Sequence, residues 1–134
     1  MKTREIVLNR DSICMGDDCI SHKKIFTIDD HMTMINLFEY LIKYVPNMYN
    51  AIWVIQSGKN ICGYLITDDN GQVSIELVGE NCLIMNTQMK DIMCRHYSSS
   101  SFTWIDGETG ESVHKYDESL SLLEKVKKAI GEYL

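Results

Sequence analysis

The stretch Ala51-Ile52-Trp53-Val54-Ile55-Gln56-Ser57-Gly58-Lys59-Asn60-Ile61-Cys62-Gly63-Tyr64-Leu65-Ile66-Thr67-Asp68-Asp69-Asn70-Gly71-Gln72-Val73-Ser74-Ile75-Glu76-Leu77-Val78 decides the fold. Its pattern changes to a period of two and reads as three consecutive strands over 51–56, 61–67 and 73–78. Ser57-Gly58-Lys59-Asn60 joins the first two strands, and Asp68-Asp69-Asn70-Gly71 joins the second pair. Asn70-Gly71 is the stronger turn signal, because a tight hairpin turn demands the positive φ angles that Asn and Gly supply. Strands joined in this way form an antiparallel meander. On the third strand Val73, Ile75 and Leu77 face a helix layer, while Ser74 and Glu76 face water.

Upstream, Ile28, Met32, Ile35, Phe38, Leu41, Ile42 and Val45 recur at three- and four-residue steps and share one helical stripe. Thr27 is the expected cap, with Asp29 and Asp30 at the positive end of the helix dipole. Pro46 ends the helix near Tyr44. Residues 3–9 and 24–28 are short apolar runs with β-branched residues and read as strands.

Downstream, Met85, Met89, Ile92 and Met93 predict a helix over 87–96, capped by Asn86 or Thr87. Four serines at 98–101 mark a loop. Residues 102–105 and 111–116 flank Asp106-Gly107-Glu108-Thr109-Gly110, whose glycines favour a hairpin with a longer turn. Asp117 is the expected cap of a last helix striped by Leu120, Leu123, Val126, Ile130 and Leu134. Together these elements predict an α+β domain: an antiparallel sheet, built as a meander, with two or three helices packed on one face.

Length and composition agree with one domain spanning residues 1–134. The chain is 45% hydrophobic and 24% charged with a single proline, which excludes disordered, collagenous and low-complexity classes. Nineteen acidic against thirteen basic residues give a formal charge of -6, which opposes a nucleic-acid backbone as partner and suits a basic one. The basic start Met1-Lys2-Thr3-Arg4-Glu5 leads only to Ile6-Val7-Leu8 before Asn9-Arg10 interrupts, too little for a secretory signal. No window approaches the roughly eighteen apolar residues of a membrane span. The five cysteines make an odd count, and Cys62, Cys82 and Cys94 sit among apolar neighbours as buried free thiols do. These features predict a soluble protein of the reducing cytoplasm with no membrane partner.

The densest group of reactive side chains is the loop Asn9-Arg10-Asp11-Ser12-Ile13-Cys14-Met15-Gly16-Asp17-Asp18-Cys19-Ile20-Ser21-His22. Cys14, Cys19 and His22 have the spacing C-x4-C-x2-H, which can supply three zinc ligands, with Asp17 or a group distant in sequence as the fourth. Cys14 and Cys19 can also close a reversible disulfide around Gly16. The competing reading packs Ile13 and Cys14 inward, leaves Asp17-Asp18 as a solvated turn and ties Arg10 to a carboxylate of its own loop. No second ligand pair follows at suitable spacing, so that reading is preferred, with no metal and no cofactor assigned. Residues 8–18 resemble the N-terminal run of small uncharacterised bacterial proteins, mostly from Firmicutes. The resemblance implies a bacterial cytoplasmic protein and transfers no catalytic residue.

Nucleophilic catalysis needs a base beside a cysteine or serine, and Cys94-Arg95-His96 places such groups close in sequence. On the expected helix, neighbouring side chains point about 100° apart, so they do not make a catalytic pair. His31 and His114 read as surface residues. No phosphate loop, dinucleotide glycine pattern, H-E-x-x-H or G-x-S-x-G occurs. Asp68-Asp69-Asn70-Gly71 has its glycine too early for a calcium loop, and a hairpin turn explains it better.

Acidic residues instead gather in loops: Asp17 and Asp18, Asp68 and Asp69, then Asp106, Glu108 and Glu111. If the turns share one end of the sheet, they form a negative rim. Tyr40, Tyr44, Tyr49, Trp53 and Trp104 lie near element boundaries, and those not needed by the core are aromatic anchors beside that charge, with Trp104 the one assigned to the site. The reading that follows is a non-enzymatic acidic binding protein, of the immunity or inhibitor type, whose protein partner is a basic bacterial toxin domain such as a nuclease. The alternative is a small thiol-redox or zinc protein using Cys14, Cys19 and His22. A homo-oligomer that buries a sheet edge is a third possibility.

Overall fold

The computed structural model describes residues 2–13 and 21–133. Six strands form one sheet: β1 (Thr3–Arg10), β2 (Lys24–Asp29), β3 (Ala51–Ser57), β4 (Asn60–Thr67), β5 (Val73–Leu77) and β6 (Asp91–Ser98), in the order β2-β1-β6-β3-β4-β5. Every neighbouring pair is antiparallel except β1 with β6, which is parallel. A second, two-stranded antiparallel sheet pairs β7 (Thr103–Ile105) with β8 (Ser112–His114). The described residues include two α-helices, α1 (Met34–Tyr44) and α2 (Leu122–Tyr133).

The expected meander is present as β3-β4-β5. The Asp68 to Gly71 connection does turn the chain, but Gly71 alone takes a positive φ, 83°, and Asn70, expected to share it, does not. Gly63 on β4 meets a different requirement, because a Cβ there would lie 2.5 Å from the Glu76 carbonyl oxygen and 2.8 Å from the Phe38 ring. Only a residue without a side chain lets β5 and α1 approach β4 this closely.

All five residues from Ala51 to Ile55 are buried, so β3 is covered on both faces. Trp53 and Ile55 join Leu65, Ile6, Leu8, Ile92 and Cys94 in one core layer under Leu37, Phe38 and Leu41 of α1. Ile52, Val54 and Tyr64 point the opposite way, into a second layer closed by Val126 and Ala129 of α2 and by Phe102. The helices therefore lie against opposite faces of the sheet. This corrects the expected single helix-covered face: the unbroken apolar run 51–55 is the signature of a strand buried twice, and the meander reading weighed only one face. Val73, Ile75 and Leu77 do pack against the α1 layer, as expected. Glu76 turns toward α2 and pairs with Lys127 at 3.0 Å.

Two element boundaries also differ. Ile28 belongs to β2 and is fully buried, so α1 starts later than its apolar stripe suggests. The cap is Thr33, which exchanges side-chain and backbone bonds with Asn36 in a capping box. The Asp29 carboxylate instead accepts the backbone N–H groups of His31 and Met32 in the preceding turn. In α2 the cap is Ser121, reciprocally bonded to Glu124 at 3.1 Å. Asp117, the expected cap, bonds the N–H of Ser119 in an earlier turn.

The largest correction is the segment expected to be helical over 87–96, which is the interior strand β6. It receives backbone ladders from β1 on one side and β3 on the other. Ile92 and Cys94 alternate with Met93 and Arg95, a period of two that the spacing of Met85, Met89, Ile92 and Met93 obscures. Two flanking strands satisfy this backbone as fully as a helix does and bury Ile92 and Cys94 in the core, so tertiary context overrides a weak local preference.

Candidate functional site

Trp104, Asp106, Glu108 and Glu111 are brought together on one feature, the β7–β8 hairpin. Its base is anchored by Phe102, which is buried, stacks on Tyr97 at 5.9 Å and tilts against Tyr116 at 5.6 Å. The Lys115 N–H closes the base by donating to the Phe102 carbonyl at 2.8 Å. Glu132 of α2 then ties the hairpin down: its carboxylate accepts from the Tyr116 hydroxyl at 2.9 Å and from the Lys115 ammonium at 3.1 Å.

Beyond this base the hairpin is open to solvent. Trp104 is 52% exposed and Ile105 is 64% exposed. At the tip, the Asp106 carboxylate accepts the N–H groups of Glu108 and Thr109, and Gly110 takes φ 73° to close the turn. Asp106 therefore shapes the loop, while Glu108 and Glu111 are exposed. Sequence reasoning missed Ile105, although its place beside Trp104 in a short strand of a sheet with only two members was a usable signal. A two-stranded sheet covers few of its own side chains.

Asp68 and Asp69 lie elsewhere, in the β4–β5 turn of the six-stranded sheet. Both are exposed, and the Asp68 carboxylate accepts from the N–H groups of Asn70 and Gln72 at 2.9 Å each. The acidic turns thus belong to two different sheets rather than to the connections of one meander. Of the aromatic anchors, Trp53 is a core residue at 1% exposure, whereas Tyr49 at 69% and Trp104 at 52% reach solvent.

Cys14, Asp17, Asp18 and Cys19 lie outside the described residues. Both flanks of their loop are fixed: the Ser12 hydroxyl and His22 Nε2 are 2.9 Å apart, and the Tyr44 hydroxyl donates to the His22 carbonyl. Among the described residues, no group of three or more His, Cys, Asp and Glu side chains is placed to hold a metal ion.

Because β6 is a strand, Cys94 and His96 project from the same face, two residues apart. Asp11 joins them: its N–H donates to the Cys94 carbonyl, and its carboxylate accepts the His96 N–H, each at 2.9 Å. The protonation states run against nucleophilic chemistry. Burial pushes the Cys94 thiol up to about 12, the Asp11 charge adds to this, and Arg10 opposes it. Burial also pushes the His96 imidazole down, against the pull of Asp11. A reactive thiolate beside an imidazolium needs the opposite shifts. Cys94 fills the core next to Trp53, whose ring centroid lies 5.0 Å from that of His96.

Cys62 and Cys82 depart from the expected full burial, since each is partly exposed. Burial still raises the Cys62 pKa, a backbone hydrogen bond involving Ser57 opposes this, and charge on Cys82 adds to it.

No helix among the described residues is long and apolar enough to cross a membrane. Comparisons with protein-family models, curated proteins and solved structures returned no match to this chain.

Proposed function

We propose that this chain is a non-enzymatic acidic binding protein that docks its β7–β8 hairpin on a basic protein, and that the partner is a bacterial toxin domain it neutralises. The observation that carries the reading is the exposure of Trp104 and Ile105 beside Glu108 and Glu111, on a hairpin whose base is fastened to α2. Neighbouring strand residues project from opposite faces, so it is the exposed Trp104 that, on a firmly held support, supplies the buried centre of an interface without a large ordering cost. The surrounding carboxylates and the net charge of -6 attract a cationic surface and speed encounter. The inert environment of Cys94 and His96 supports a binding role over nucleophilic catalysis.

The experiment is a titration of the purified chain against a basic toxin domain encoded in the neighbouring reading frame, reading both complex formation and toxin activity. A stoichiometric complex that silences the toxin and weakens with added salt is expected. A chain that forms no complex with the basic domain at low salt overturns the reading.

A further inference from the structure

Cys62 and Cys82 line one cleft of about 600 Å³ whose walls also include Met34 and Met89. Four sulfur-bearing residues from four separate segments line it: β4, the chain leaving β5, the start of α1 and the approach to β6. Backbone bonds hold the two cysteine segments in place. The Cys62 carbonyl accepts the Val78 N–H at 2.9 Å, and the Cys82 carbonyl accepts the Met34 N–H at 3.0 Å. Met34 and Met89 are 6% and 8% exposed, while both cysteines are partly exposed, so the cysteines are the members of this set nearer to solvent.

Thiolate and thioether sulfur is a soft donor set. It disfavours calcium and magnesium, which require oxygen, and favours monovalent copper. Structural zinc is poorly served, because thiolate and imidazole ligands are its usual set and the described residues offer no third such group here. We propose that this cleft binds one Cu(I) ion through the Cys62 and Cys82 thiolates, with the Met34 and Met89 thioethers completing the site. As each of the two thiol sulfurs bonds to copper its proton passes to solvent, while the thioethers bind as neutral donors, and no electron is transferred.

The test is an anaerobic competition of the reduced full-length chain for Cu(I) against the chromophoric chelator bicinchoninate. One copper per chain is expected in the wild type and in the Cys14→Ser/Cys19→Ser variant, which removes the thiols of the first loop. Cys62→Ser/Cys82→Ser is expected to lose at least tenfold in affinity. Met34→Leu and Met89→Leu, near-isosteric changes that keep the core filled, should each weaken binding while far-UV circular dichroism stays unchanged. These methionine variants decide the matter if the double serine variant does not fold. The proposal is overturned if the wild type retains no copper, if a folded Cys62→Ser/Cys82→Ser chain binds as tightly as wild type, if the Cys14→Ser/Cys19→Ser chain loses its copper, or if both methionine variants bind unchanged.

Discussion

The Asp11 carboxylate accepts the backbone N–H of His96 at 2.9 Å, fastening the chain just beyond β1 to the middle of β6, eighty-five residues later in sequence. Asp11 also donates its own N–H to the Cys94 carbonyl, so the parallel β1–β6 ladder continues one residue past its last paired position. Removing the acceptor strands a partly buried N–H. Asp11→Ala is expected to cost about 1–3 kcal/mol, with Asp11→Asn losing less because an acceptor oxygen survives. Denaturant midpoints at unchanged slope provide the check.

His96 gives the stability a pH dependence of fixed sign. Burial lowers its pKa below the ordinary 6.5, so the unfolded chain binds this proton more readily than the folded one. Its contribution is therefore fully present above pH 6.5 and is lost as pH falls through the lower, folded value. Stability should decline on acidification below 6.5, and His96→Phe should remove part of that slope. Equal slopes in the two proteins would show that His96 is not the group responsible.

Gly63 and Gly107 should respond oppositely to the same change. Gly63→Ala drives a Cβ into the Glu76 carbonyl and the Phe38 ring, and overpacking of this kind costs about 1–3 kcal/mol or more. Gly107 has open space around its Cβ position, and its φ lies outside the left-handed range. Gly107→Ala is expected to be neutral or to stabilise by about 0.4–1 kcal/mol through the unfolded chain. Thermal unfolding of both variants makes the comparison.

Cys94 should resist alkylation in the folded protein. A fully buried thiol pushed up to about 12 is almost entirely protonated at pH 8. Mass mapping after brief iodoacetamide treatment should find Cys94 modified only once denaturant is added.

The meander was legible because its pattern is local: Asn70-Gly71 states its own turn, and Val73, Ile75 and Leu77 state their face. The hairpin around Asp106 to Gly110 was legible for the same reason, and it carried Trp104, Glu108 and Glu111 into the candidate site intact. What was not legible depends on partners distant in sequence. β6 becomes a strand because β1 and β3 flank it, and nothing within Asp91 to Ser98 announces either neighbour. That one misreading also hid the shared face of Cys94 and His96. The second helix-covered face was written in the apolar run 51–55, yet it became visible only with α2 lying across Ile52 and Val54. The shared cleft of Met34, Cys62 and Cys82, with Met89, is likewise a product of folding, since it draws on segments near residues 34, 62 and 82 that lie far apart in sequence.

The hairpin as docking surface is the central claim, and its direct measurement is the affinity of the basic partner domain for the wild type and for Trp104→Ala. Trp104 is half exposed and outside both core layers, so truncation should alter folding stability by no more than about 0.5 kcal/mol. At the centre of an interface the same change should cost about 2 kcal/mol or more, roughly a thirtyfold rise in Kd. A folded Trp104→Ala chain that binds the partner as tightly as wild type would contradict the account.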